Sequence, residues 1–206
     1  MQRYFIGSHQ RDEETVTITG EDCRHIGKVM RMEPGNQIEV VLPDGRISLC
    51  VIEKITAERV QATILETRED FRELPIHVAI ASGLLKGDKW DWIIQKGTEL
   101  GASSFFPFHS ERSIVKWDDK KSEKRVERWE KIAKEAAEQS ERNRIPEIRY
   151  PLRLPELIQE ASHFTKTVVA YEEKGRGREK SQFRSVLESL KKGDSLLMIF
   201  GPEGGF

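Results

Sequence analysis

The stretch Leu196-Leu197-Met198-Ile199-Phe200 is an apolar run fit for a buried strand, and it leads straight into Gly201-Pro202-Glu203-Gly204-Gly205-Phe206. In open α/β sheets ligands bind outside the carboxyl ends of the strands, so a strand feeding a glycine-rich loop predicts a ligand site there. Glycines let backbone N–H groups approach a ligand that side chains would hold away. The loop is not a P-loop, since no Lys-Ser or Lys-Thr follows at the required spacing, and it is not GxGxxG. A plain turn is the competing reading, but five loop residues in this order are more specific than a turn requires.

Four other clusters carry polar chemistry. Asp22 to Met32 has helical spacing, with Ile26, Val29 and Met30 expected on one side and Arg24, His25, Lys28 and Arg31 on the other. That side is either a phosphate-contacting patch or a solvated helix face. Leu85 to Trp92 leads into Gln95 to Gly101, and Lys89, Lys96 and Glu99 fall near one helical face. An exposed salt-bridged face is the favoured reading of that segment alone. Ser110-Glu111-Arg112-Ser113, followed by Val115 to Asp118, is a basic loop with an aromatic residue, able to hold phosphate and stack a base or to be ordinary surface. Glu135, Gln139 and Arg142 lie at spacings of four and then three, which on one helix would place them on a common face. Such a row could read a base edge, although ion pairs on a solvated helix are commoner.

These residues need elements to position them. From Tyr4 to about Arg68 the pattern is mainly of strands. Val16 and Ile18, Ile38 to Leu42, Ile47 with Leu49 and Val51, and Val60 to Ile64 alternate with polar neighbours, which puts one face of each strand inward. Pro43-Asp44-Gly45 predicts a hairpin turn, and short strands with turns between them predict a small barrel. Glu69 to Pro75 reads as a linker. After it, strands at His77–Ala81, from Phe105, at Thr167–Tyr171 and at Ser195–Phe200 alternate with helices. These are Trp90 to Leu100, with Trp90, Ile93, Ile94 and Leu100 on its apolar side, then about Lys121 to Asn143, then Phe183 to Leu190. Trp129, Ile132, Ala133, Ala136 and Ala137 are expected to line one side of the longest helix. That alternation argues for a mostly parallel α/β sheet. The 34 basic and 35 acidic residues nearly cancel, so contact with a polyanion would depend on local clustering. Two isolated cysteines, Cys23 and Cys50, point to reduced thiols rather than a zinc site. With no signal peptide and no membrane span in view, the chain reads as a cytoplasmic protein.

Taken together, the clusters resemble the bacterial 16S rRNA uridine-N3 methyltransferases of the RsmE type. The resemblance rests on Arg3-Tyr4-Phe5, His25 to Met32, Lys86-Gly87-Asp88-Lys89, Gln95 to Gly101, Glu111-Arg112-Ser113, Glu135 to Ser140 and Gly201 to Phe206, in the family's order along the whole chain. It implies a PUA-like RNA-binding β-barrel over residues 1–70. Over residues 75–206 it implies a SPOUT-type α/β methyltransferase domain with a mostly parallel sheet, acting as a homodimer. S-adenosyl-L-methionine would bind in a C-terminal trefoil knot, a rare exception to unknotted topology. By the same resemblance Gly201, Pro202, Glu203, Gly204 and Gly205 form one cofactor loop, and Tyr171 with Glu172 a second. Glu99 is the expected base and Arg142 a catalytic cation. Arg3, Arg24, His25, Lys28, Arg31, Lys86, Lys89, Arg112 and Gln139 are expected to meet 16S rRNA or the small subunit, with no metal and no membrane involved. The family continues past the glycine-rich loop into a helix and a further cofactor loop, so the chain reads as truncated at its C-terminus, with an incomplete knot. A noncatalytic RNA-binding or ribosome-assembly protein is the alternative.

Overall fold

The computed structural model describes residues 1–110, 119–171 and 180–201. They form two compact units. The first is Met1–Glu73 with Glu138–Arg144, and the second is Leu74–Ala137 with Ile145–Phe206, so neither is a single stretch of chain.

The first unit is built on β1 (Arg3–Phe5), β2 (Thr15–Thr19), β3 (Gln37–Val41), β4 (Ile47–Ile55) and β5 (Arg59–Arg68). The sheet order is β1-β3-β4-β5-β2, with β1 parallel to β3 and the other ladders antiparallel. The alternation of Val16 with Ile18, Ile38 with Val40, and Val60 with Ala62 puts all six into one core. In β4 the alternation expected from the sequence is one residue out of step. Ile38 pairs with Cys50 and Val40 with Ser48, and residues directly opposite share a face. Cys50 and Ile52 therefore join the core, while Leu49 and Val51 are half-buried on the other face. Both cysteines are free and buried, and burial pushes the Cys50 thiol up to about 12.

After β2 the chain forms α1 (Gly20–Arg24), which continues as a π-helical turn over His25–Val29. The Met30 N–H reaches back to the His25 carbonyl at 2.9 Å. Cys23 and Ile26 are buried, but Val29 is 66% exposed and Met30 also faces solvent, against the expectation that Ile26, Val29 and Met30 share an inward side. The i→i+5 bond adds a residue to the turn and rotates the succeeding residues away from the core.

The second unit is doubly wound. It contains β6 (His77–Gly83), α2 (Lys89–Glu99), β7 (Ser104–His109), α3 (Asp119–Gln139, of which Glu138 and Gln139 belong to the first unit), β8 (Glu147–Ile148), β9 (Leu152–Arg153), α4 (Leu154–Ala161), β10 (Lys166–Ala170), α5 (Lys180–Ser189) and β11 (Ser195–Phe200). The strand order is β10-β11-β6-β7-β8, with β9 also on β7, and every ladder is parallel. Parallel sheets need cover on both faces. On one face Trp90 and Ile94 of α2 and Val126, Trp129 and Ala133 of α3 pack with Phe105. On the other, Leu157 of α4 packs with Ala79, Ala81, Phe106, Leu197 and Ile199.

Gly97 lets α2 lie close to the sheet, because a Cβ there would sit 2.6 Å from the Phe105 ring and 3.1 Å from Ile80. Gly97→Ala is expected to destabilise the protein by about 1–3 kcal/mol through overpacking, read as a lowered urea midpoint at unchanged m-value. Leu100, expected on the buried side of α2, is 79% exposed. The helix has ended at Glu99, and the chain turns away through Gly101 at φ +99°.

Candidate functional site

All strands of the second sheet run the same way, so their carboxyl ends form one edge. From β6 the chain crosses to β7 on one side, whereas β11 and β10 lie on the other. Across the sheet β10 and β11 are followed by β6, β7 and β8, so the carboxyl ends of β11 and β6, far apart in the chain, stand side by side, and the crevice outside such ends is where an open α/β sheet takes its ligand. Ala170 pairs with Phe200, and Phe200 with Ser82, so Tyr171, Gly201 and Gly83 are the next positions beyond a matched row. Gly201 is half-buried and Tyr171 is exposed. The fold thus brings together two expected cofactor positions some thirty residues apart. Glu172, Pro202, Glu203, Gly204, Gly205 and the RNA-binding candidate Arg112 lie outside the described residues.

Lys86 and Lys89 belong to the same edge, in the loop leaving β6 and at the start of α2, and both are exposed. Trp90 anchors that start, its Nε1–H donating to the Gly83 carbonyl at 3.1 Å. The buried ring also packs against Trp129, centroids 5.1 Å apart. Asp91 accepts from Trp129 Nε1 at 3.0 Å and from Arg128 Nε at 2.8 Å, which ties α2 to α3.

Glu99 is elsewhere. Because α2 returns antiparallel to β6, its last residue lies at the amino ends of the strands, where Ser103 N–H reaches the Val78 carbonyl at 2.7 Å. An eleven-residue helix is about 15 Å long, so Glu99 is separated by that scale from the edge holding Tyr171 and Gly201. Its carboxylate is paired with Lys96 Nζ at 2.8 Å. Glu99, the expected base, thus stands at the opposite end of the sheet from Tyr171 and Gly201 of the same chain.

In the first unit two expected contact residues turn out to be internal struts. Arg3 is 2% exposed and pairs with Glu39 at 2.7 Å. The same guanidinium donates to the carbonyls of Glu141 and Arg142, while Glu39 also meets Arg68. Arg3, an expected RNA contact, is thus engaged inside the first unit. Arg142, the expected catalytic cation, is likewise buried and pairs with Glu73. It does not share a helical face with Glu135 and Gln139, because α3 stops at Gln139 and Glu141 takes φ +57°. Asn143 completes this fastening. Its side-chain amide donates to the carbonyls of Gly45 at 2.8 Å and Asp70 at 2.9 Å and accepts from Arg72 N–H at 2.9 Å. Gln139, the last residue of α3, remains exposed.

Arg24, Lys28 and Arg31 are exposed, and among the described residues no ion pair engages them. Arg3, Arg68, Arg72 and Arg142 of the same unit are all paired with carboxylates. His25 lies half-buried beside these cations, its Nδ1 3.0 Å from the hydroxyl of buried Tyr4. Sequence reasoning misses Tyr4 and Asn143 as framework residues. Tyr4 and His25 are 21 positions apart and Asn143 and Gly45 are 98 apart, and no local pattern signals such pairs. Among the described residues there is no group of three or more His, Cys, Asp or Glu placed to hold a metal, and no helix long and apolar enough to cross a membrane.

A mixed β unit and a doubly wound parallel unit with a candidate ligand edge at its carboxyl ends match known proteins over the whole length. The RNA methyltransferase domain family matches residues 72–206, and the RNA methyltransferase PUA domain family matches residues 18–65. The chain belongs to the RNA methyltransferase family. It is 52% identical to the ribosomal RNA small subunit methyltransferase E of Bacillus subtilis, across 100% of this chain and 81% of that protein. The crystal structure of a ribosomal RNA small subunit methyltransferase E from Neisseria gonorrhoeae bound to S-adenosyl methionine superposes with a TM-score of 0.82 at 25% identity, covering 100% of this chain and 81% of that one. A putative methyltransferase from Legionella pneumophila, in complex with the same cofactor, gives 0.84 at 29% identity, covering 99% and 81%. The fold class is PUA-like β followed by SPOUT-type α/β.

Proposed function

We propose that this chain is an S-adenosyl-L-methionine-dependent methyltransferase of small-subunit ribosomal RNA, acting at N3 of a uridine in 16S rRNA. The observation that carries the reading is the carboxyl edge of β10, β11 and β6, where Tyr171, Gly201 and Gly83 stand in register. The edge fits the cofactor. Gly201 offers backbone without a side chain in the crevice, and Tyr171 offers an exposed ring beside it. Gly201 with Pro202, Glu203, Gly204 and Gly205, and Tyr171 with Glu172, would hold it. When bound, S-adenosylmethionine supplies an electrophilic sulfonium methyl.

The chain's part is to hold the RNA so that one nitrogen faces that edge. N3 lies on the pairing edge of uracil, so the base must be unpaired or flipped out. Lys86 and Lys89 meet phosphates near the crevice, joined by Arg112, and Gln139 offers an amide to the RNA. Arg24, His25, Lys28 and Arg31 form a separate phosphate-binding patch on the first unit. Alignment of nitrogen and methyl supplies much of the rate in such a transfer. Residence in the cytoplasm and action as a homodimer belong to the same reading.

Calorimetric titration with S-adenosylmethionine, followed by transfer of labelled methyl to small subunits lacking the modification, tests the proposal. Saturable one-to-one binding and one methyl per subunit are expected. Retention of RNA without cofactor binding would turn the reading to a noncatalytic RNA-binding protein. The patch has its own test. Replacing Arg24, Lys28 and Arg31 together by alanine should reduce the slope of log K against log salt by about 2 for a single-stranded target, at about 0.7 for each phosphate no longer neutralised. An unchanged slope in filter binding would remove the patch from the interface.

A further inference from the structure

Tyr4 sits on β1 with its ring in the core, and the proposed function gives it no task. Its hydroxyl lies 3.0 Å from His25 Nδ1, and the two rings meet edge to face with centroids 5.9 Å apart. Burial, with the carboxylates of Glu138 and Asp22 adding to it, pushes the phenol well above its ordinary range, so the group keeps its proton. An O–H held in such surroundings needs an acceptor. Among the described residues the polar atom in reach is His25 Nδ1. The phenol therefore donates, Nδ1 supplies the lone pair, and in the neutral ring the proton resides on Nε2. Nε2 has no hydrogen-bond partner among the described residues and is not a buried, unsatisfied atom, so it reaches solvent. It does so on the π-helical turn that also carries Lys28, directly after Arg24 and shortly before Arg31.

We propose that Tyr4 is a positioning residue for RNA recognition: its hydroxyl fixes the orientation and tautomer of His25, so that the His25 Nε2–H is presented as a hydrogen-bond donor to an RNA phosphate between Arg24, Lys28 and Arg31. This rests on the RNA-binding reading of the first unit. The cations supply attraction that depends little on direction, whereas an oriented N–H on a ring held at its other nitrogen is directional. The arrangement follows the general rule that the role of one imidazole nitrogen is set by the bond the other makes.

Two measurements test it. Long-range nitrogen–proton correlation spectra of the neutral imidazole, taken without RNA, should show the Nε2–H tautomer for His25 in the native chain and a mixture in Tyr4→Phe. Filter binding of small ribosomal subunits should show Tyr4→Phe and His25→Ala each weakened about two- to tenfold, the range for one hydrogen bond, with the double variant no weaker than His25→Ala alone. S-adenosylmethionine affinity should be unchanged in all three, which separates the effect from a general loss of fold. An Nδ1–H tautomer in the native chain overturns the proposal, as does native RNA affinity in Tyr4→Phe when His25→Ala is weakened. If the native chain retains no small subunits at all, the RNA-binding reading itself has failed, and the spectra still report whether Tyr4 sets the tautomer.

Discussion

Arg3→Ala is expected to lower the unfolding free energy by about 3–5 kcal/mol, the usual result of removing one member of a buried ion pair. Glu39 is buried and, among the described residues, would keep only the exposed Arg68 as its cation. The carbonyls of Glu141 and Arg142 would lose a donor at the same moment. Arg3→Lys should recover part of the loss, since it keeps the charge but cannot reproduce the planar fork that reaches a carboxylate and a carbonyl together. Replacing Arg3 and Glu39 together by methionine should cost less than Arg3→Ala, because no charge is then stranded. Urea unfolding followed by fluorescence checks the series. RNA affinity measured where each variant is still folded should be that of the native chain. A loss of RNA affinity at native stability would restore the contact role expected from the N-terminal motif.

Trp90→Ala should cost about 3–5 kcal/mol by the large-to-small rule, since the side chain is fully enclosed between β6, Ile94 and Trp129. Its consequence extends to the crevice. The indole N–H holds the Gly83 carbonyl, and Gly83 is the last residue of β6, the strand paired with β11. Trp90→Phe preserves most of the apolar volume and removes only that bond, for about 0.5–1.5 kcal/mol. Thermal unfolding should therefore separate the two variants clearly. Calorimetry with S-adenosylmethionine should show weaker binding in Trp90→Ala than in Trp90→Phe, because disorder at the end of β6 reaches the cofactor edge. Equal cofactor affinity in both would show that the crevice is framed without α2.

Much of the fold is legible in the sequence because its signals are local. The alternating runs in β2, β3 and β5 mark their own inward faces, and the strand before Gly201 announces a ligand edge. The misreadings share one cause. A uniform 3.6 residues per turn places Val29 and Met30 inward, and a single π-turn undoes that. Continuing a period of two assigns Leu49 and Val51 to the core, but the phase of that period is set by pairing with β3. Arg142 falls in line with Glu135 and Gln139 only along a helix that stops before reaching it. In each case a spacing is right in kind, but a π-turn, a strand pairing or a helix end that the spacing does not show decides the outcome.

Residue types and order alone determined the family, the sequence of elements and the nature of the chemistry, because glycine loops, strand periods and cation clusters are written in contiguous residues. The tertiary structure decided which of those residues can meet a ligand. Strand order brought Tyr171 and Gly201 side by side, the antiparallel return of α2 carried Glu99 to the far end, and burial set Arg3 and Arg142 in internal ion pairs. Accessibility and proximity depend on contacts between residues far apart in the chain, and no local spacing encodes them.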